Sequence, residues 1–265
     1  MKNMQTSKLF IDYLDIKDNK LIPNYSISST DVVIYTIYLP DFIGLKFDLV
    51  EFLNEAELDR AQRFHRELDK TRFIIYRSIL KFVLAAHTNL DAKNISLDYH
   101  FNKKPFLASH PSLHFNISHS KDFAVIAVSH SAVGIDIEYI SEDFNFIDLL
   151  PDIFDPNEIM AIQTAVSQKH SFYTSWTRKE AFVKALGKGI DDDFKDIPCL
   201  DGEHAINPAI LKTAASWHMH SFTFSDQYLA AVAYENLSPV SKNLILFTIP
   251  NTMDILRKMT QVRKY

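Results

Sequence analysis

The chain has 265 residues, of which 47% are hydrophobic and 12% aromatic, and its formal net charge at pH 7 is -5. This composition indicates a folded globular protein with one large core or two modest ones. The small net charge gives no reason to expect a nucleic-acid partner. Residues 60–81 are basic, whereas residues 122–168 contain no Lys or Arg and many acids. A ligand that combines phosphates with divalent cations would suit this layout, and so would two ordinary solvated faces.

Cysteine content and apolar runs bear on the compartment. Cys199 is the single cysteine, so no intramolecular disulfide can form and a reducing compartment is favoured. The first twenty residues lack the uninterrupted apolar stretch of a signal peptide. No segment reaches the roughly 20 apolar residues that span a bilayer. We therefore expect a cytoplasmic protein without a membrane partner.

The first half of the sequence predicts strands and a pair of helices. Residues 31–40, DVVIYTIYLP, alternate branched and aromatic side chains and predict a strand. Residues 54–87 have helical spacing and predict two helices that break near residues 68–70. Residues 114–129 predict a polar loop between strands, and the run 123–128 is apolar on both faces, which is typical of a central strand.

The second half predicts a further set of strands and helices. They are a strand at 132–138, helices at 151–168 and 171–187, and strands at 216–224 and 228–235. Residues 120–128 and 225–233 resemble each other, since each has a serine, an aromatic residue and an apolar run. Two related halves would explain this similarity, and so would any polar turn followed by a buried strand. From Leu237 onward we expect an appendage.

Two carboxylates mark the strand AVGIDIE, residues 132–138. Side chains alternate along a strand, so Asp136 and Glu138 point the same way, about 7 Å apart at the backbone. Like charges held this close are costly unless a cation or hydrogen-bond donors compensate. A wet edge strand is the alternative. Gly134 favours a close backbone approach or a bulge instead.

The helix WTRKEAFVKALGKG offers a third acid. Trp176, Glu180 and Lys184 are spaced by four and lie on one helical stripe. A simple surface pair between Glu180 and Lys184 is the alternative. Three hard oxygen ligands from a strand and a helix are the kind of site that holds Mg²⁺ together with phosphates and water. Lys184 could then meet a phosphate as a point charge.

Three sequence blocks carry a family resemblance. FNISHS (115–120), GIDIE (134–138) and WTRKEAFVKALGKGI (176–190) resemble the signature blocks of the Sfp-type 4'-phosphopantetheinyl transferases. KKPFL (103–107) resembles the Gly-Lys-Pro block of that family, with Lys103 where glycine is usual. Residues 60–80 resemble its upstream basic helix. The resemblance runs from about residue 50 to residue 235.

The resemblance implies a fold and a reaction. The fold would be α+β, with two pseudo-symmetric halves at 1–129 and 130–236, a coenzyme A cleft between them, and an appendage at 237–265. Such enzymes move the phosphopantetheine arm of coenzyme A to a serine of an apo acyl or peptidyl carrier protein and release adenosine 3',5'-bisphosphate. Two halves in one chain could form the cleft without a second subunit, so we expect a monomer.

The resemblance also implies roles for individual residues. Magnesium would be held by Asp136, Glu138 and Glu180. Glu180 is the leading candidate for the general base, Glu138 is the next, and Lys184 would neutralise charge on the leaving group. The predicted contacts to the nucleotide's phosphates are Arg72, Lys104, Ser118, His119, Lys179 and Lys184. Glu158 matches the acid that follows the strand motif.

Carrier proteins of this kind are acidic helical bundles, so we expect docking on basic and apolar surface. Charge reversal at Arg178 or Lys188 should then weaken carrier binding more than coenzyme A binding.

Two other functions stay open. One is a Mg²⁺-dependent phosphodiester hydrolase that uses the same three acids. The other is a silent coenzyme A or carrier-binding module, which should have lost an acid or the lysine. The sequence does not distinguish fatty-acid, polyketide and nonribosomal-peptide carriers.

Overall fold

The computed structural model describes residues 7–19, 21–22, 25–189, 192–207, 209–211, 215–238 and 242–260. The strands are β1 Lys8–Tyr13, β2 Asp18–Asn19, β3 Asp31–Tyr38, β4 Asp98–Tyr99, β5 Pro105–Phe106, β6 His114–Ser120, β7 Phe123–Ser129, β8 Val133–Tyr139, β9 Gly202–Ala205, β10 Ser216–Ser225, β11 Tyr228–Glu235 and β12 Asn243–Thr248. The α-helices are α1 Leu39–Phe42, α2 Lys46–Leu49, α3 Glu55–Gln62, α4 Glu67–Thr88, α5 Leu150–Ile153, α6 Pro156–Thr164, α7 Gln168–Leu186 and α8 Met253–Met259. The mixed α and β content agrees with the predicted class. In this part of the chain, no helix is long and apolar enough to cross a membrane.

The strands form two five-stranded sheets and one short hairpin. Sheet I has the order β2-β12-β3-β7-β6, and sheet II has the order β8-β11-β10-β1-β9. Strands β4 and β5 pair separately. Within the two large sheets, β6 and β8 are edge strands.

The two sheets and the two long helices pack in layers. Alternate residues of β3 divide between two clusters: Val33 and Tyr35 pack with α4, whereas Val32 and Ile34 pack with the apolar face of sheet II. Strand β7 divides in the same way, which confirms the prediction that it is buried on both faces. On the far side of sheet II, Phe182 of α7 packs against β10 and β11. The resulting order of layers is α4, sheet I, sheet II and α7.

The terminal strands cross between the two halves of the sequence. Strand β1 runs parallel to β10 in sheet II, and β12 runs parallel to β3 in sheet I. Phe247 of β12 and Leu256 of α8 are buried in the core around α4. The prediction of an appendage at 237–265 is therefore wrong for its described residues. The half at 1–129 also contributes a strand to the opposite sheet.

Local signals for the helices were accurate. Asn54 caps α3 with a capping box to Glu57, and the predicted pair of helices is present. Its break is at residues 63–66, and the predicted position at 68–70 is wrong, because those residues form the first turn of α4. Gly187 ends α7 in the left-handed conformation. The predicted helix at 151–168 is divided into α5 and α6. The polar loop predicted within residues 114–129 is instead strand β6, because Phe115 and Ile117 alternate with polar residues.

The turn between β4 and β5 contains Lys103, which stands where the resembling family usually has glycine. Lys103 has a φ of 63°, and its N–H donates to the carbonyl of His100 at 2.8 Å. This left-handed backbone suits glycine and strains a residue with a Cβ atom. The turn thus keeps the shape that a glycine would adopt, at a cost in free energy.

We expect Lys103→Gly to raise the free energy of unfolding by about 0.5–1 kcal/mol, since it removes this strain from an exposed position. Urea denaturation of the variant and the wild type measures the difference. A lower free energy of unfolding for the variant would contradict this account of the turn.

Candidate active site

Helix α7 packs unusually close to strand β8 at Gly134, on the strand face that also carries the two acids. A Cβ atom on Gly134 would lie 2.1 Å from the carbonyl oxygen of Ala181 and 2.2 Å from the backbone nitrogen of Ala185. Only glycine therefore allows the helix backbone to rest on the strand here. The same helix carries Glu180 and Lys184, so this contact sets them beside the β8 acids.

Lys184 links the acids into one cluster. Its Nζ donates to Oδ1 of Asp136 at 2.6 Å and lies 3.9 Å from Oε2 of Glu180. It also donates to Oγ of Ser118 at 3.0 Å, and Ser118 in turn donates to Oδ1 of Asp136 at 2.8 Å. Burial acts to lower the pKa of Lys184, but the charge and hydrogen bond of Asp136, together with the charges of Glu180 and Glu138, outweigh it and the pKa is raised. The side chain is therefore a cation among carboxylates.

The other two carboxyl groups are proton acceptors of raised pKa. Burial, and then the charge of Asp136, raise the pKa of Glu138 to about 7, although a hydrogen bond from Ser120 opposes this. Burial is also the main cause that raises the pKa of Glu180, with Lys184 acting against it. Both groups can take up a proton more readily than an ordinary carboxylate.

The donor set fits a hard cation in its chemistry. Oδ2 of Asp136 is buried and has no hydrogen-bond partner among the described residues. Carboxylate oxygens are the ligands that Mg²⁺ prefers. In the present arrangement, however, no group of three or more His, Cys, Asp or Glu side chains within the described residues is placed to hold a metal ion. The ammonium of Lys184 holds Oδ1 of Asp136 and lies 3.9 Å from Oε2 of Glu180, so it neutralises part of the charge that a cation would meet there.

A basic cavity lies on the other face of β6, because successive residues on a strand point in opposite directions. Its volume is about 410 Å³, and His119 and Arg72 line it together with Tyr76 and Arg77. The ring of His119 lies 5.6 Å from that of Tyr76. Burial, followed by the charge of Arg72, lowers the pKa of His119.

Polar groups in this cavity are left unsatisfied. Nε of Arg72, Nη1 of Arg77 and the hydroxyl of Tyr76 are buried and have no hydrogen-bond partner in the described part of the chain. Unpaired buried donors are costly, so such a cavity suits an anionic ligand. Tyr76 and Arg77 were not predicted as site residues from the sequence. The position of Tyr76 four residues after Arg72 on one helix was the available signal for Tyr76.

Lys179 and its partner Glu158 lie outside this cluster. Nζ of Lys179 is 2.9 Å from Oε2 of Glu158, and both side chains are buried. Lys179 also donates to the carbonyl of Ile197 at 2.6 Å, and Glu158 accepts the N–H of Cys199 at 2.9 Å. The structure gives Lys179 a buried partner, and its predicted contact to a phosphate stays a prediction. The pair thus connects α7 to α6 and to the segment that contains Ile197 and Cys199.

Lys104 and Arg178 also have partners within the fold. Nζ of Lys104 donates to the carbonyl of Val133 in β8 and to the carbonyl of Lys184 in the last turn of α7, at 3.1 and 2.6 Å. Burial lowers its pKa to about 8. Arg178 is buried and donates to Ser221, Cys199 and Asp201. The charge-reversal test of docking therefore applies to Lys188 alone, which is partly exposed.

A carboxylate cluster with a lysine at its centre, next to a basic cavity, is typical of a protein that acts on a phosphate-rich ligand. Comparison with known families is in line with this. Residues 132–233 match the model of the 4'-phosphopantetheinyl transferase superfamily, and residues 46–131 match the model of the 4'-phosphopantetheinyl transferase N-terminal region.

Individual relatives carry the same name. The chain is 31% identical over 218 residues to the 4'-phosphopantetheinyl transferase HetI of Nostoc sp.. These aligned residues are 80% of this chain and 90% of HetI. The chain is 26% identical over 193 residues to the 4'-phosphopantetheinyl transferase Sfp of Bacillus subtilis, covering 68% and 85%. The chain therefore belongs to the 4'-phosphopantetheinyl transferase superfamily, which confirms the resemblance inferred from its sequence blocks.

We expect Gly134→Ala to lower the free energy of unfolding by about 3 kcal/mol or more, because the added methyl group collides with helix backbone that cannot rotate away. Urea denaturation measures this. Gly44→Ala is the matched control, since a Cβ atom there meets nothing within 4 Å and should cost little. Equal effects of the two substitutions would contradict the close contact.

We expect Lys179→Met to lower the free energy of unfolding by about 3–5 kcal/mol, since it leaves Glu158 buried without its partner. Lys169→Met on the same helix removes an ion pair to the exposed Glu142 and should cost less than about 1 kcal/mol. Denaturation curves compare the two. If Lys179 contacted phosphate instead, its loss would weaken coenzyme A binding and leave stability unchanged.

Proposed function

We propose that the protein transfers the phosphopantetheine arm of coenzyme A to a serine of an apo carrier protein at the cluster of Asp136, Glu138, Glu180 and Lys184. The observation that carries the proposal is this cluster, in which Lys184 lies 2.6 Å from Asp136 and 3.9 Å from Glu180 beside a basic cavity. A silent binding module would be expected to lack one of the four residues, and all are present.

Coenzyme A is proposed to bind where two similar halves meet. Each sheet contains an antiparallel hairpin, β6–β7 in sheet I and β10–β11 in sheet II, and each packs against one long helix. The two family matches also adjoin, at residues 131 and 132. These features support pseudo-symmetry with a cleft between the halves. Within one chain, such a cleft would need no second subunit.

The phosphates of the nucleotide are proposed to bind in the basic cavity. Arg72 and His119 line it, and the buried Nε of Arg72 has no partner among the described residues. Ser118, the neighbour of His119, instead contacts Asp136. Consecutive residues of one edge strand thus put the cavity and the carboxylate cluster within reach of a single extended ligand. This supports a nucleotide with several phosphates as the donor.

The metal is proposed to be Mg²⁺, held by Asp136, Glu138 and Glu180. When bound, it would neutralise charge on the diphosphate and on the departing bisphosphate. The support is the hard oxygen donor set and the unpaired buried Oδ2 of Asp136. Lys184, freed from Asp136, would put its positive charge beside the same diphosphate.

The transfer itself requires positioning and charge compensation more than covalent catalysis. The serine oxygen of the carrier forms a bond to the phosphorus of the phosphopantetheine phosphate. The bond from that phosphorus to the bridging oxygen breaks, and adenosine 3',5'-bisphosphate leaves with the electron pair. The serine proton goes to a carboxylate, for which Glu180 is the first candidate and Glu138 the second, in line with their raised pKa values. Lys184 stabilises the charge that develops on the leaving group.

We expect the wild-type protein, with coenzyme A and Mg²⁺, to add one phosphopantetheine to at least one apo carrier protein. Intact-mass measurement with fatty-acid, polyketide and nonribosomal-peptide carriers reads this directly. Asp136→Ala and Glu180→Ala should each reduce the rate by about 10²-fold or more, because each removes charge stabilisation from the site. Chelation with EDTA should abolish transfer, and added Mg²⁺ should restore it.

Glu142→Ala is the control, because that side chain is exposed and pairs only with Lys169 among the contacts described for it. Normal activity in either Asp136→Ala or Glu180→Ala would overturn the site assignment. Release of adenosine bisphosphate in the absence of any carrier, with no mass gain in its presence, would favour a hydrolase.

A further inference from the structure

Strand β6 contacts β8 through a row of polar side chains. Asn116, Ser118 and Ser120 alternate along β6 and so share one of its faces. Oδ1 of Asn116 accepts the N–H of Ile135 at 2.9 Å. Ser118 and Ser120 reach the two acids of β8, at Oδ1 of Asp136 and at Oε2 of Glu138. The two serines thus match the two acids, one to one.

Ser120 is held in a way that fixes the direction of its proton. Its Oγ accepts the N–H of Tyr139 at 3.1 Å and donates to Oε2 of Glu138 at 2.9 Å. Since the backbone N–H can only donate, the hydroxyl hydrogen is directed to the carboxylate. Ser118 differs, because it also accepts a hydrogen bond from Lys184.

The hydrogen bond from Ser120 restricts the side chain of Glu138. A glutamate side chain has several rotatable bonds and loses conformational freedom when it is held in one place. The bond from Ser120 restrains one carboxylate oxygen and so narrows the orientations that the group can adopt. Partners that orient a ligating carboxylate typically change metal affinity or activity by about 10- to 100-fold when they are removed.

We propose that Ser120 is a positioning residue that orients Glu138 for metal binding and transfer. This inference rests on the proposed function, because it assigns Glu138 a place in the active site. Ser120 does not contact the substrate in this scheme; it acts through Glu138. It is also a cleaner test than Ser118, whose loss would disturb Lys184 at the same time.

The experiment measures metal binding separately from turnover. Mn²⁺ binding to the protein, without carrier, is followed by electron paramagnetic resonance for the wild type, Ser120→Ala and Ser120→Thr. We expect Ser120→Ala to weaken Mn²⁺ binding by about 10-fold or more and Ser120→Thr, which keeps the hydroxyl, to restore most of it. With Mg²⁺ and coenzyme A, Ser120→Ala should lower kcat and leave the KM for coenzyme A near its wild-type value.

Ser109→Ala is the matched control, since Ser109 is exposed and its described hydrogen bond is to its neighbour His110. If Ser120→Ala does not fold, Ser120→Cys keeps the shape with a weaker donor and should show the same loss of Mn²⁺ affinity. Wild-type Mn²⁺ affinity and kcat in Ser120→Ala or Ser120→Cys would overturn the inference and leave Ser120 only a partner for the Tyr139 N–H.

The outcomes also separate this inference from the proposed function. If the wild type modifies no carrier but Ser120→Ala still binds Mn²⁺ more weakly, the positioning role stands and the proposed reaction fails. If the wild type is active and Ser120→Ala matches it in both measurements, the reaction stands and the positioning role fails.

Discussion

The backbone contact between α7 and Gly134 determines where every charged group of the site lies. A helix can approach a strand this closely only where the strand lacks a Cβ atom, and the atoms that a Cβ would strike are backbone atoms of Ala181 and Ala185. Glu180 is one residue before the first of these contacts, and Lys184 is one residue before the second. On the strand, Asp136 lies two residues beyond Gly134 on the same face. The cluster is therefore a geometric consequence of one missing side chain.

This geometry creates an electrostatic imbalance. Three carboxylates share the space with one ammonium group, and burial makes their charged forms expensive. The protein relieves part of the cost by raising the pKa of Glu138 and Glu180 and by keeping Lys184 charged. Oδ2 of Asp136 nevertheless stays unpaired in the described part of the chain. A cation at Oδ2 of Asp136 would complete the charge balance, and under the proposed function Lys184 would then turn from Asp136 to a phosphate.

Local pattern was enough to find the core of this site. The period of two in AVGIDIE identified the shared face of Asp136 and Glu138, and the spacing of four identified Glu180 with Lys184. The same helical geometry separates Lys179 from Lys184 by about 140°. Its assignment to the phosphates came from the family resemblance and ignored this angle. Lys104 and Arg178 could not have been assigned in this way, because their partners include carbonyl groups that come close only in the folded chain.

The pairing of the terminal strands could not be predicted from local sequence pattern, for a related reason. Whether β1 and β12 remain with their own halves depends on pairing partners about 200 residues away, and the amphipathic pattern of a strand does not name its partner. The site lies where edge strands β6 and β8 meet, and these strands are joined there by the side chains of Asn116, Ser118 and Ser120. Side-chain hydrogen bonds alone would be a weak joint between two sheets. Each terminal strand belongs to the sheet built mainly from the other half of the sequence, and apolar side chains of β3, β7, β8 and β11 pack between the two sheets beside this joint. That buried packing holds β6 against β8, so the serines of one strand stay opposite the acids of the other.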